Sequence, residues 1–134
     1  MRLWSQQLIP YLPDKQLGGQ WVEIRMILGS IEKHGKVNHS TVNYVNDYPL
    51  LNLYAYGYLV YLERKKRGMY SNPIFISSYS TAFDLWNINN SYDIHRKYSD
   101  IIYSCHDDSY MEECLLNLEG KGIYLRDKIN IDNS

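Results

Sequence analysis

The sequence predicts an all-α fold: a compact single-domain bundle of three to four helices with an extended amino-terminal arm packed between them. Three observations carry this. Apolar residues recur at steps of three and four through Leu17, Trp21, Ile24, Leu28 and Ile31, and a second stripe runs through Leu51, Tyr54, Tyr58, Leu59 and Leu62. Ahead of the first stripe, Pro10 and Pro13 keep the chain extended and non-helical. The 134 residues suffice for one modest core, and they hold no internal repeat, linker or glycine-rich phosphate loop.

The first helix is expected from about Lys15 to Leu28, with Asp14 as its N-cap accepting from the orphan N–H groups of the next turn. Beside its apolar stripe, Gln16, Gln20 and Glu23 fall on nearly one line, since each residue turns the helix by roughly 100°. Gly18 and Gly19 sit inside this helix, where each costs about 0.5 to 1 kcal/mol relative to alanine. Something is therefore expected to pass close to the backbone there, and the amino-terminal arm is the candidate. Ser30 to Asp47 is polar, with turn formers Gly35 and Asn38, and reads as a connecting loop.

The second helix is expected to begin at Pro49, a favoured first-turn residue, and to end at Arg67 before Gly68. Its run Arg64-Lys65-Lys66-Arg67 complements the negative end of the helix dipole, and the same charges are free to meet phosphates. From Tyr70 to Asn90 the pattern weakens into loops around a short strand-like piece, Ile74-Phe75-Ile76. A third helix is expected from about Tyr92 to Cys105. A fourth is signalled by a capping box, Ser109 with Glu112, followed by Met111, Cys114, Leu115 and Leu118, with Gly120 ending it. The tail beyond about residue 127 is polar and expected to fray into disorder.

Composition narrows the class. Hydrophobic content of 45% with 22% charged residues is that of an ordinary globular protein. No apolar run approaches the ~20 residues of a membrane span, and the amino terminus lacks the charged and apolar regions of a secretory signal, so a cytoplasmic protein with no membrane partner is expected. Cys105 and Cys114, nine apart, match no zinc spacing and read as reduced thiols; no metal is expected. The 14 tyrosines would serve base stacking, although Ile, Asn and Tyr together also fit an AT-rich genome. A net charge of −1 does not exclude nucleic acid, but it demands a local basic footprint.

Several runs are recognisable together: Arg2-Leu3, then Gln16-Leu17-Gly18-Gly19-Gln20-Trp21-Val22-Glu23, Gly29 to His34, His39-Ser40-Thr41-Val42-Asn43-Tyr44-Val45, and Lys66-Arg67-Gly68. They resemble the pyrimidine-dimer DNA glycosylases of the phage endonuclease V type, above all bacterial and phage members with a His-x-Thr-Val-Asn-Tyr-Val stretch. The likeness covers the first half of the chain. In the second half it is faint, in Gly120-Lys121-Gly122-Ile123-Tyr124.

The resemblance implies a base-excision enzyme with abasic-site lyase activity on double-stranded DNA carrying a damaged base. In the family a terminal α-amine attacks the sugar carbon, displaces the base, and forms an imine that loses the 3′ phosphate by β-elimination. The large Arg2 disfavours removal of the initiator methionine, so the amine falls on Met1. An α-amine titrates at about 7.7 to 8.0 against about 10.4 for lysine, and so is partly neutral near pH 7. Glu23 is then the carboxylate that stabilises the cationic sugar and moves protons. The resemblance further implies phosphate contacts from Arg2 and Arg25, and substrate contacts from Gln16, Gln20, His39, Asn43 and Tyr44. Lys66, Arg67 and Lys121 are implied as further basic contacts. Neither cofactor nor metal is needed, base flipping is the access route, and the protein is expected to act as a monomer. The chain departs from the family's usual pattern in two places: Val22 stands where an arginine is usual, and Met1 where a threonine is. A glycosidase acting on a small nucleotide, and a non-catalytic nucleic-acid- or protein-binding phage factor of the same fold, are the alternative readings.

Overall fold

Helices α1 (Asp14–His34) and α2 (Leu50–Lys66) form the central pair in the computed structural model, which describes residues 2–85 and 102–133. Every regular element among the described residues is helical. The other α-helices are α3 (Pro73–Leu85), α4 (Asp108–Glu119) and α5 (Arg126–Asn133), with 3₁₀ segments at Gln6–Tyr11 and Asn43–Asp47. No helix among them is long and apolar enough to cross a membrane.

The stripe on α1 is buried as its spacing predicts: Leu17, Trp21, Ile24 and Leu28 all face the core. The helix outlasts the predicted end at Leu28 by almost two turns. Ile31 continues the stripe, and the stop is Gly35, which takes φ +79° and returns its N–H to the Ile31 carbonyl at 2.8 Å. Asp14 is the first helical residue, not the cap, and its carboxylate pairs with Arg67 at 3.0 Å. The arm does not pass over the two glycines. An added Cβ on Gly18 would meet Arg64 Nη1 at 3.5 Å, an ordinary contact, and one on Gly19 would meet nothing within 4 Å. Nor is the proline-containing segment extended: Gln6–Tyr11 forms a 3₁₀ turn through Pro10, and Leu8 and Ile9 enter the core.

Helix α2 buries more of its circumference than one stripe. Leu51, Leu53, Ala55, Tyr56 and Val60 are buried, while the predicted Tyr54, Tyr58, Leu59 and Leu62 are half-buried, because neighbours cover α2 on several sides. Its four terminal cations divide. Arg64 is buried, lies 5.7 Å from the centre of the Trp21 ring and donates to Ser71 Oγ and the Tyr70 carbonyl. Arg67 bonds Glu63, Asp14 and the carbonyls of Leu12 and Pro10, tying the start of α1 to the end of α2. Lys65 and Lys66 remain exposed.

The strand-like triple Ile74-Phe75-Ile76 is helical. Asn72 caps α3 by accepting from the Ile74 N–H at 2.9 Å, and Pro73 occupies the first turn, where its missing N–H does no harm. Phe75, Tyr79 and Phe83, four apart, then form an aromatic stripe against Trp21, Tyr54 and Tyr58. Gly57 permits the α2–α3 approach, since a Cβ there would lie 2.1 Å from Tyr79 Oη. Tyr79 is enclosed, and its hydroxyl has no hydrogen-bond partner among the described residues. Gly57→Ala is therefore expected to destabilise by about 2 kcal/mol or more by overpacking. Tyr79→Phe is expected to be neutral or stabilising by up to about 1 kcal/mol, and to recover part of that loss in the double variant. Denaturant unfolding of the four proteins checks both; a double variant no better than Gly57→Ala alone would refute the clash.

Most of the predicted helix over Tyr92 to Cys105 falls outside the described residues. Its end, Ile102 to Cys105, is turn and bend, since both backbone groups of Ile102 are claimed by side chains: Gln6 Oε1 accepts its N–H at 2.8 Å and Asn52 Nδ2 donates to its carbonyl at 2.9 Å. The N-cap of α4 is Asp107, two residues before the predicted Ser109, and its carboxylate accepts from the Tyr110 N–H at 2.9 Å; Ser109 lies inside the helix, and Gly120 stands at the C-cap as expected. Instead of fraying after residue 127, the chain continues into α5, anchored by buried Leu125 and Ile129.

Candidate active site

The arm is extended over residues 2–5, with Leu3, Trp4 and Ser5 buried, and it has no strand to pair with. Buried backbone groups without partners would be costly. Side chains from three helices satisfy them. Glu23 Oε2 on α1 accepts the Arg2 N–H at 2.6 Å. One turn earlier, Gln20 works as a two-pronged clamp, its Nε2 donating to the Arg2 carbonyl at 2.8 Å and its Oε1 accepting the Trp4 N–H at 2.7 Å. From α2, Tyr56 directs its hydroxyl at the Trp4 carbonyl (2.7 Å) and at Gln20 Oε1 (2.6 Å), sharing one hydrogen between two acceptors. From α4, the Tyr110 hydroxyl donates to the Leu3 carbonyl at 2.5 Å. The line of Gln16, Gln20 and Glu23 expected from helical periodicity is thus the face on which the arm lies, with Gln16 half-buried at its far end.

Arg2 projects its guanidinium between aromatic faces, 6.0 Å from the Trp4 ring centre and 5.7 Å from that of Tyr110, and pairs with Glu113 at 3.3 Å. Lys121 reaches the Trp4 ring at 5.8 Å. Beside Arg2 opens a cleft of about 350 Å³, lined by Arg2, Thr41, Tyr44, Cys105, Tyr110 and Glu113. Tyr44 bonds His106 Nε2 at 2.7 Å, and His106 stacks on Tyr110. Burial holds the Tyr44, Tyr56 and Tyr110 hydroxyls well above the usual phenol pKa, so all three stay protonated donors. Burial lowers the His106 pKa to about 4, against a smaller opposing pull from Asp107, so its ring is neutral.

The structure thus brings Arg2, Gln20, Glu23, Tyr44 and Lys121 to one region. Met1 lies outside the described residues. Other predicted contacts are elsewhere. Arg25 sits over the Phe75 ring at 5.3 Å, on a groove between α1 and α3 that the exposed Val22 also lines. His39 lines a separate groove with Met26 and His34, and its N–H is accepted by Asn43 Oδ1 at 2.7 Å. Lys66 borders a groove by Gln6 and Pro10, and Arg67 is engaged by Glu63, Asp14 and the carbonyls of Leu12 and Pro10. Sequence reasoning missed Tyr56, His106, Tyr110 and Glu113. The excess of tyrosine was the one signal, and it did not say which of them mattered.

A family model described as pyrimidine dimer DNA glycosylase matches residues 1–77. The chain belongs to that family. No curated protein and no solved structure matches it. The segment matched to the glycosylase family contains the arm and its partners Gln20, Glu23 and Tyr56, together with Tyr44. His106, Tyr110, Glu113 and Lys121 follow it and complete the surroundings of Arg2.

Proposed function

We propose that this chain is a base-excision glycosylase with abasic-site lyase activity, acting on a damaged pyrimidine nucleotide in duplex DNA through the α-amine of Met1. The supporting observation is the 2.6 Å bond from the Arg2 N–H to Glu23. That nitrogen is joined to the Met1 α-amine through one carbonyl and one α-carbon, so a carboxylate lies close to where the chain starts.

In the proposed reaction the neutral amine attacks C1′ as the C1′–N bond to the base breaks, and the electron pair of that bond leaves with the base. Glu23 offsets positive charge developing on the sugar. It then relays the amine's proton to the ring oxygen as the sugar opens to the imine. Loss of a C2′ proton pushes out the 3′ phosphate. Arg2 and Lys121, 6.0 and 5.8 Å from the centre of the Trp4 ring, are the proposed phosphate contacts nearest the chemistry, and Gln16 and Tyr44 face the bound nucleotide. Gln20 sets the arm's height above α1. Arg25, His39, Asn43, Lys66 and Arg67 would belong to a wider duplex footprint.

Borohydride trapping on duplexes carrying a cyclobutane dimer, other modified pyrimidines or an abasic site tests this directly. The native protein is expected to be trapped covalently on at least one duplex, and a version with one added residue ahead of Met1 is expected to lose about tenfold or more. Equal trapping by the extended form would remove the terminal amine from the reaction, and no trapping on any duplex would sink the proposal.

A further inference from the structure

The chain after residue 77 lies beyond the matched segment, yet it supplies what closes over the arm. His106 is only 5% exposed. Its ring stacks on Tyr110 with centroids 4.7 Å apart and planes 16° from parallel, while Nε2 sits 2.7 Å from the Tyr44 hydroxyl. Tyr110 in turn bonds the Leu3 carbonyl and carries the Arg2 guanidinium over its face. One imidazole therefore touches both aromatic walls of the cleft, one by its edge and the other by its face.

Donor counting gives this group a direction. His106 Nδ1 is buried with no hydrogen-bond partner among the described residues. An orphaned N–H is rarer than an orphaned acceptor, so the neutral ring carries its proton on Nε2 and donates to the Tyr44 oxygen. Tyr44 then keeps its own hydrogen for the Tyr110 hydroxyl, with which it shares a side-chain hydrogen bond. Tyr110 has given its hydrogen to Leu3, and its oxygen can only accept. Polarity runs outward, from the imidazole to the arm.

We propose that His106 is a positioning residue that seats Tyr110 against Leu3 and Arg2 and turns the Tyr44 hydroxyl towards Tyr110 in the wall of the cleft. The arm and the cleft wall are thereby held in one geometry by a residue that contacts no substrate. The low pKa of the ring agrees with this, since a protonated imidazole would have to place a second N–H where no acceptor waits.

The kinetic part of the test rests on the function proposed above, so a second readout is independent of it. His106→Phe keeps the stack on Tyr110 and loses the bond to Tyr44; His106→Gln keeps a donor and loses the stack. In His106→Phe, the single-turnover trapping rate on the most reactive duplex is expected to fall roughly tenfold or more, with duplex Kd within about threefold of native. His106→Gln is expected to recover part of that rate. Amide exchange of Trp4 is expected to accelerate by about tenfold in His106→Gln, which loses the stack, and less in His106→Phe, while amides in the middle of α1 and α2 keep their rates. Unchanged exchange at Trp4 in His106→Gln, uniform acceleration throughout the helices, or native trapping in His106→Phe would each overturn the proposal. If the native protein traps on no duplex, the reading of function fails, and exchange at Trp4 still decides whether His106 holds the arm.

Discussion

Glu23→Gln is expected to lower covalent trapping by roughly two to three orders of magnitude while leaving the protein folded, the pattern of a lost electrostatic and proton-transfer group. Glutamine keeps an oxygen where Oε2 accepts the Arg2 N–H, so the arm retains its hold and the stability loss is limited to about 1 kcal/mol. What disappears is negative charge beside the sugar. The contrast with Gln20 is instructive, because that neighbour already holds the arm with a neutral amide, through two bonds to its backbone. Holding the arm does not require a carboxylate at position 23, whereas the proposed chemistry does. Single-turnover trapping beside a thermal melt checks both halves, and a variant trapped within about threefold of native would strip Glu23 of its proposed role.

The second large effect is on stability in mild acid. His106 has a folded pKa of about 4, against about 6.5 for an unperturbed histidine. Between those values the unfolded chain binds a proton that the folded one refuses, so stability falls as pH drops through this window and is intact above it. The full loss approaches about 3 kcal/mol near pH 4, a large share of the 5 to 15 kcal/mol typical of a small domain. Glu112, paired with Arg126, has a lowered pKa and adds its loss only as the carboxylate range is entered. Urea unfolding at pH 7, 6, 5 and 4.5 is expected to show the decline in the native protein and a much flatter profile in His106→Gln. Parallel profiles would assign the acid sensitivity to other groups.

Much of the site was legible in the sequence, and for identifiable reasons. Helical periodicity aligned Gln16, Gln20 and Glu23 without any fold in hand, and the family-like runs pointed to the arm and Glu23 together. The partners of the arm from α2 and α4 were not legible, because Tyr56 and Tyr110 act through hydroxyls whose acceptors are backbone carbonyls more than fifty residues away. No local pattern encodes such a pairing. His106 gave no local signal, since its hydrogen-bond partner Tyr44 lies 62 residues away. Helix α3 was obscured by its β-branched and aromatic opening, although the Asn72-Pro73 cap was there to be read. The cations closing α2 divided by burial, Arg64 and Arg67 into intramolecular bonds and the two lysines into solvent, which a run of like charges cannot announce.

The grip on residues 2–4 has a consequence for what the arm tolerates. Side chains of other elements fix the main chain there, taking in turn the Arg2 amide, the Arg2 and Leu3 carbonyls, the Trp4 amide and the Trp4 carbonyl. Swapping side chains on this segment leaves that order intact. Inserting or deleting a single residue between Arg2 and Trp4 throws the series out of phase, setting carbonyl against carboxylate and amide against amide. The segment therefore behaves as a ruler whose length, more than its composition, determines how Arg2 meets Glu23.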